Sequence, residues 1–230
     1  MTKFEIAIGN IADIKADAIV NAANEQLAAG SGVCGALFAK AGPGLAKEIQ
    51  ENHGYGCETG DAVTTGAFEL NANYIIHAVA PIWSPVTRAG DQLISAYKSI
   101  FREAKDWGIK TIAIPSLGTG VYGWDFEEAT GVAKKGILEG LRDYPSIKKV
   151  IFSCFSAQAA EVYKSMFSTE LQFGLDLTPH CPKCTQPAVS ITYGLPNSND
   201  FNDPSFYSGG CIVMPGKSNW ACRECKIEFA

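Results

Sequence analysis

Two glycine-rich stretches, each placed between an apolar run and a helix-forming segment, constrain this chain more than any other feature. The first, Ala28-Ala29-Gly30-Ser31-Gly32-Val33-Cys34-Gly35, follows an apolar run that ends in Asn21-Ala22-Ala23-Asn24. The second, Ser116-Leu117-Gly118-Thr119-Gly120-Val121-Tyr122-Gly123, follows Thr111-Ile112-Ala113-Ile114-Pro115. Glycine lets the backbone approach a ligand closely and adopt positive φ, so several N–H groups can converge on one anion. A helix N-terminus behind the loop adds partial positive charge. One such loop is commonly no more than a tight turn. Two of them, each leaving a strand end, point to a diphosphate held from both sides.

Around the loops, strand and helix patterns alternate. Residues 4–8, 18–20, 62–65, 74–80, 111–114 and 150–154 read as strands, the run at 74–80 apolar enough to be central. Helices are predicted over 33–40, over 43–50 opened by Pro43, and over 92–107, where Leu93, Tyr97, Ile100, Phe101, Ala104 and Trp107 share a face and Gly108 is placed to cap. Asp125 with Glu128 forms a capping-box pattern before another helix, and Ser156 caps a last one that runs to Phe167. The alternation predicts an α/β fold, a mixed and largely parallel sheet covered by helices on both faces. Ligands in such folds sit beyond the carboxyl ends of the strands, where both glycine loops lie.

The 230 residues, 47% hydrophobic and 19% charged, suffice for one well-cored domain plus an appendage. The net charge of −5 supplies no basic field for nucleic acid or an anionic membrane, so an anionic ligand must be gripped by backbone dipoles. Met1 to Glu5 lacks the pattern of a signal peptide and no apolar run approaches a membrane span; a soluble cytoplasmic protein is expected.

The two loops, with Ile19-Val20-Asn21-Ala22-Ala23-Asn24, Gly9-Asn10-Ile11, Thr59-Gly60-Asp61-Ala62-Val63 and Ile75-Ile76-His77-Ala78-Val79-Ala80-Pro81, resemble a macrodomain, the ADP-ribose-binding module, across residues 1–170. The resemblance implies a three-layer α/β/α fold and particular roles. Adenine is placed at Asn10 and Ile11, where macrodomains usually carry aspartate; Asn10 can still accept through its amide oxygen, without charge assistance. Phe155 is either the aromatic that packs on adenine or a core residue. Asn24 matches the asparagine that contacts the distal ribose, its alternative being a structural turn residue. Ala22, Gly32, Val33 and Cys34 line the first loop's side. Ser116, Gly118, Thr119, Gly120 and Val121 cradle the diphosphate from the second, and Tyr122 is either a lid ring or a surface aromatic.

Catalysis is where the pattern is broken. Hydrolytic macrodomains of one type carry an aspartate at the position of Cys34 and often a polar residue at that of Phe38. Cys34 at a helix N-terminus invites a nucleophile reading, but a bound diphosphate opposes a thiolate beside it. Water can instead be positioned by the ligand's phosphate, Asn24 and loop backbone, and loss of one acid/base group costs roughly 10²–10⁴-fold in rate rather than all activity. Hydrolytic removal of mono-ADP-ribose from a modified target, with Asn24 in the catalytic role, is therefore expected, the alternative being a non-catalytic reader of ADP-ribose. His77 reads as a satisfied core histidine, His53 as a surface turn residue, and Asp61 as a turn residue.

Residues 171–230 change character. Gly, Pro, Asn and Ser become common, and Cys181-Pro182-Lys183-Cys184 and Cys222-Arg223-Glu224-Cys225 form two C-x-x-C pairs. Four thiolates so spaced can surround Zn²⁺ tetrahedrally, with Trp220 and Phe229 packing a small sheet, which resembles a zinc ribbon. Disulfides are disfavoured by a cytosolic redox poise; His180 and Cys211 are spare candidates, Cys211 reading better as core. Without metal a segment this polar buries too little to fold. Four Lys/Arg against six Asp/Glu between Glu170 and Ala230 give no grip on nucleic acid, and leave docking on the first domain, a protein partner or dimerisation open.

Overall fold

Strands that are apolar on both faces need cover on both sides. The computed structural model describes residues 1–175, 183–184, 189–192, 207–208, 220–222 and 224–229, and the chain divides into two units, 1–175 and 176–230. In the first, β1 (Lys3–Ile8), β2 (Ala18–Ala23), β3 (Ala62–Gly66), β4 (Tyr74–Val79), β5 (Thr111–Pro115) and β6 (Lys149–Cys154) form one sheet in the order β1-β6-β5-β2-β4-β3. Neighbours are parallel throughout except β3, which runs antiparallel to β4. The carboxyl ends of β1, β6, β5, β2 and β4 therefore lie along one edge. Ladder length is uneven: β2 pairs with β4 over six positions but with β5 only at Ala18↔Ile112 and Ile19↔Ala113. Beyond those two rungs the strands part, and the two glycine loops leave from the parted ends.

Alternate residues of each strand face opposite layers. Ile19 and Ala23 of β2, Ile75 and Val79 of β4, Ala113 of β5 and Ile151 of β6 join one cluster with Leu37 of α1 (Gly32–Ala41) and with Leu45 and Ile49 of α2 (Pro43–Asn52). Val20, Ile76, Ile112, Ile114 and Phe152 point the other way and are equally buried. That layer is α3 (Ala89–Asp106), α4 (Phe126–Asp143), α5 (Ala157–Met166) and α6 (Ser168–Phe173). α3 buries Leu93, Ala96, Tyr97, Ile100, Phe101 and Ala104, a stripe at helical spacing. Phe152 stacks on Tyr163 of α5 at 4.7 Å between ring centres and lies 4.4 Å from Phe167.

Helix starts follow the expected caps, with one difference. Asp125 accepts from the Glu127 and Glu128 N–H groups at 3.0 Å each, and Ser156 from the Ala159 N–H at 3.2 Å. The Glu128 carboxylate does not close a capping box; it accepts the Trp83 indole N–H at 3.1 Å instead. A further difference lies at the end of the unit. The last predicted helix stops at Met166, and α6 carries the fold past residue 170 to Leu175, whose backbone exchanges two hydrogen bonds of 2.9 Å with Thr2. Glu170 is buried and takes the Lys134 ammonium at 3.1 Å.

In the second unit the described residues place β7 (Val189–Thr192), β8 (Tyr207–Ser208), β9 (Trp220–Cys222) and β10 (Ile227–Phe229) in the order β10-β9-β7-β8. Cys181, His180 and Cys211 lie outside the described residues. Among the described residues no helix is long and apolar enough to cross a membrane.

The crossing of α3 and α4 is set by glycine. A methyl group at Gly140 would come within 2.4 Å of the Phe101 ring, whereas one at Gly131 on the same helix would meet nothing within 4 Å. Gly140→Ala is expected to cost about 1–3 kcal/mol in urea or thermal unfolding through overpacking. Gly131→Ala should instead gain roughly 0.5–1 kcal/mol from helix propensity alone.

Candidate ligand-binding site

Where β2 and β5 part, a cavity of about 1100 Å³ opens at the carboxyl edge of the sheet. It slightly exceeds the ~300–1,000 Å³ usual for small-molecule sites, which leaves room for a nucleotide-sized ligand. The structure brings Asn10, Ile11, Ala22, Asn24, Gly32, Val33, Cys34, Ser116, Gly118, Thr119, Gly120, Val121, Tyr122 and Phe155 together as its lining. Among the described residues no Lys, Arg or His lines it, and its charged residues are Asp125 and Glu127. Among the described residues the anion-binding elements of the wall are therefore N–H groups.

The first loop presents them through α1. Its N-cap residue Ser31 makes no side-chain capping bond, unlike Asp125 and Ser156, so the opening N–H groups of α1 stay available to the cavity. The loop folds tightly over this turn: a methyl group at Gly35 would sit 2.6 Å from the Gly30 carbonyl oxygen. Asn24, half-buried, braces the loop as a structural turn residue would, its Nδ2 donating to the Ala28 carbonyl and its Oδ1 accepting from the Ala28 N–H, both at 3.0 Å. One amide hydrogen and one lone pair remain for a ligand. Cys34 is buried, 3.6 Å from the Ala28 carbonyl as an S–H donor and 3.7 Å from Asn21 Nδ2. Among the described residues no basic side chain is hydrogen-bonded to the thiol, so no general base stands ready to take its proton.

The second loop is shaped from below. Gly118 adopts φ +82°, and a methyl group there would meet the Trp124 ring at 2.6 Å. Trp124 N–H donates to the Gly118 carbonyl at 3.2 Å and its indole to the Pro81 carbonyl at 2.9 Å. The Thr119 hydroxyl closes back on the Ser116 carbonyl at 3.2 Å. Tyr122 is half-buried, and its phenol is pushed above the ordinary range by burial and by the proximity of Glu25 and Cys34, which places this ring across from the first loop. Its carbonyl is anchored by the Trp83 N–H at 2.8 Å.

At the far end, Phe155 is 93% exposed, so its alternative as a core residue is removed. Asn10 caps a short 3-10 turn, Ile11–Asp13, by accepting from the Ala12 N–H at 3.0 Å, which leaves its second lone pair for a ligand. Sequence reasoning missed the wall contributed by Phe126, Gln158, Ala159 and Val162. Only the adjacency of β1, β6 and β5 brings α5 to the cavity, and no local pattern encodes that order.

An α/β sheet opened at one edge between two amide-presenting loops defines a nucleotide-type binding fold. A model of the Macro domain matches residues 20–133. A macro domain-containing protein of Caldanaerobacter subterraneus subsp. tengcongensis is 44% identical over 169 residues, 72% of this chain and 95% of that protein. An O-acetyl-ADP-ribose deacetylase of Pantoea vagans is 38% identical over 171 residues, 73% of this chain and all of that protein. The Trypanosoma brucei macrodomain in complex with ADP-ribose superposes with a TM-score of 0.65 at 32% identity, covering 70% of this chain and 68% of that one. The Oceanobacillus iheyensis macrodomain with ADP gives 0.66 at 31% identity, over 74% and 92%. This chain belongs to the macro domain family.

Beneath the first loop lies a buried polar pair. Asn21 and His77 are ladder partners on β2 and β4, and Asn21 Nδ2 lies 3.0 Å from His77 Nδ1. The Thr65 hydroxyl, 2.9 Å from His77 Nε2, donates to the Gly66 carbonyl. His77 therefore carries its proton on Nε2 and accepts at Nδ1, an assignment that follows from the network. Burial lowers its pKa to about 3, with a smaller contribution from nearby His53. His53 itself is half-buried, with its ring 3.2 Å from the Thr64 carbonyl.

The native value of His77 lies below the unfolded value of about 6.5. Its contribution to stability is then full above pH 6.5 and is lost as the pH falls toward 3. Denaturant unfolding at a series of pH values should show a loss of up to about 1.4 kcal/mol per pH unit in that window from this one group. His77→Gln should flatten the slope by that amount.

Proposed function

We propose that this protein binds ADP-ribose in the cavity and hydrolyses a bond at its distal ribose, removing mono-ADP-ribose from a modified target. The observation that carries the reading is a cavity of dinucleotide size with two converging amide loops, one of them a helix N-terminus without a side-chain cap, and no cationic side chain among the described residues. In this reading Asn10, Ile11 and Phe155 receive adenine, with the exposed ring stacking on the base. The amides of residues 118–122 and of α1 hold the diphosphate, and Asn24 offers its remaining donor and acceptor to the distal ribose. Relatives bearing the name O-acetyl-ADP-ribose deacetylase support a hydrolytic reading, since an acyl ester on that ribose would lie at the same end of the cavity.

Cys34 stands where the resemblance places an aspartate, so in this reading water is oriented by the ligand's own phosphate together with Asn24 and loop backbone. Water oxygen bonds to the carbon of the scissile bond, the bond to the target's oxygen breaks, and that oxygen takes the water's proton. Positioning of this kind is worth several orders of magnitude without a dedicated base. The alternative, a non-catalytic reader, is favoured by the Cys34 thiol at the position where the resemblance places an aspartate.

The wild-type protein incubated with mono-ADP-ribosylated protein and with O-acetyl-ADP-ribose should release ADP-ribose from one or both. Asn24→Ala should lower that release by about 10²-fold or more. Tight binding of ADP-ribose without release selects the reader, and an Asn24→Ala variant that turns over at the wild-type rate rejects the catalytic role.

For the second unit, we propose a structural Zn²⁺ held by Cys181, Cys184, Cys222 and Cys225. The Sγ atoms of Cys184, Cys222 and Cys225 lie within 4.8 Å of one another, and those of Cys184 and Cys222 are 3.5 Å apart. Thiolates around one zinc at Zn–S distances near 2.3 Å stand about 3.8 Å apart, so the donor set fits the ion. The Cys225 N–H donates to Cys222 Sγ at 3.3 Å. Metal analysis should return one zinc per chain. A strong chelator should abolish amide protection around Trp220–Cys222 and Ile227–Phe229 while the first unit's melting is unchanged; a metal-free protein with the same protection would reject the site.

A further inference from the structure

Strand order gives the cavity a direction. In the reading above, Asn10 and Phe155 at the adenine end follow β1 and β6, and Asn24 at the distal ribose follows β2. The next positions along that edge are the segment that leaves β4 and, because β3 runs antiparallel, the segment that enters β3. The Gly60 N–H donates to the Val79 carbonyl at 2.8 Å and joins the two. A group attached to the distal ribose is delivered onto these segments.

Both segments carry apolar side chains in solvent. Before β3, Tyr55 is fully exposed between Gly54 and Gly56. The Cys57 N–H donates to the Glu25 carbonyl at 2.8 Å, and a methyl group at Gly56 would come within 2.2 Å of that oxygen. This turn is therefore seated on the residue next to Asn24. After β4, Ile82 is 69% exposed, Val86 90% and Trp83 40%. Trp83 fixes this segment, its N–H on the Tyr122 carbonyl and its indole on the Glu128 carboxylate. Val121, exposed and part of the cavity lining, continues the apolar rim. Exposed apolar residues scattered singly need no explanation. These follow one another along the edge that the ligand occupies, on anchored backbone that lowers the ordering cost of binding.

Charge selects the occupant. Arg88 is closed on Asp91 at 2.8 Å and Asp61 on Arg102 at 2.7 Å, whereas Glu25 and Glu58 are exposed, the former accepting the Thr59 hydroxyl at 2.6 Å. The balance is acidic and repels the phosphates of a nucleic acid strand. A polypeptide with apolar and basic side chains complements it.

We propose that the surface carrying Tyr55, Ile82, Trp83 and Val86 docks the polypeptide that bears the ADP-ribose, engaging apolar and basic side chains beside the modified residue. The target class is then protein and not nucleic acid. The proposal rests on the reading of the cavity as an ADP-ribose site with the distal ribose at Asn24.

Calorimetric titration compares free ADP-ribose with two conjugates that hold it through a hydrolysis-resistant link, one on an apolar, lysine-containing peptide and one on an RNA oligonucleotide. The wild type should bind the peptide conjugate about 30-fold tighter than ADP-ribose, through partial burial of several apolar side chains, and gain nothing from the RNA. Tyr55→Ser, Ile82→Ser and Val86→Ser, each with an unchanged melting temperature, should each weaken the peptide conjugate by about three- to tenfold and leave ADP-ribose unaffected. A wild type that gains nothing from the peptide overturns the proposal, as does a gain that all three variants keep. A gain from RNA that the variants remove, or equal losses for ADP-ribose and the peptide conjugate, also overturns it. If one substitution impairs folding, the other two decide. A wild type that does not bind ADP-ribose refutes the reading of the cavity itself, and the docking role falls with it.

Discussion

The parting of β2 from β5 after two ladder rungs is the constraint on which the molecule's chemistry depends. A sheet closed along its full length would offer the two glycine loops no space to face each other. Because β1, β6, β5 and β2 run parallel, every loop that leaves their carboxyl ends arrives at the same gap. Pro115 ends β5 paired with Ser153 of β6, two residues after the ladder to β2 has ended at Ala113. The crevice is thus a consequence of strand direction and ladder length, and side chains only tune it.

What they tune is a cavity whose described lining holds no cationic side chain. Backbone amides held by rigid elements cost no reorganisation when the ligand binds, and the protein secures them with packing. Gly118 is pressed on Trp124, Gly35 closes over the Gly30 carbonyl, and Tyr97 takes the Leu117 N–H. Asn24 shows the same economy. It braces the first loop through both ends of its amide and still retains a donor and an acceptor toward the cavity. Cys34 is more of a packing residue than a reagent, buried and bonded to the Ala28 carbonyl.

The polar layer under the first loop has a different task. Asn21, His77 and Thr65 cross from β2 through β4 to β3 inside an apolar cluster. Such a buried network is costly if any partner is missing, and it pins the register of three strands when complete. His77 is kept neutral by burial, so the register holds at neutral pH and weakens in acid.

Much of this was legible in the residue order because it is local. The glycine loops, the stripe on α3, the Asp125 and Ser156 caps and the paired cysteines each lie within a few residues of one another, and their chemistry is readable wherever they stand. The reach of Glu128 to Trp83, the burial of Glu170 against Lys134 and the extension of the first unit to Leu175 were not legible. Each joins residues far apart in the chain and overrides a local preference. The sequence by itself determined which segments become strands and helices and that two amide-rich loops leave strand ends. Only the tertiary structure decided that β5 lies beside β2 and then separates from it, that α5 supplies one wall, and that Phe155 faces solvent and not the core. Strand order and ladder length are settled by packing across the whole sheet, and no short stretch of residues carries that information.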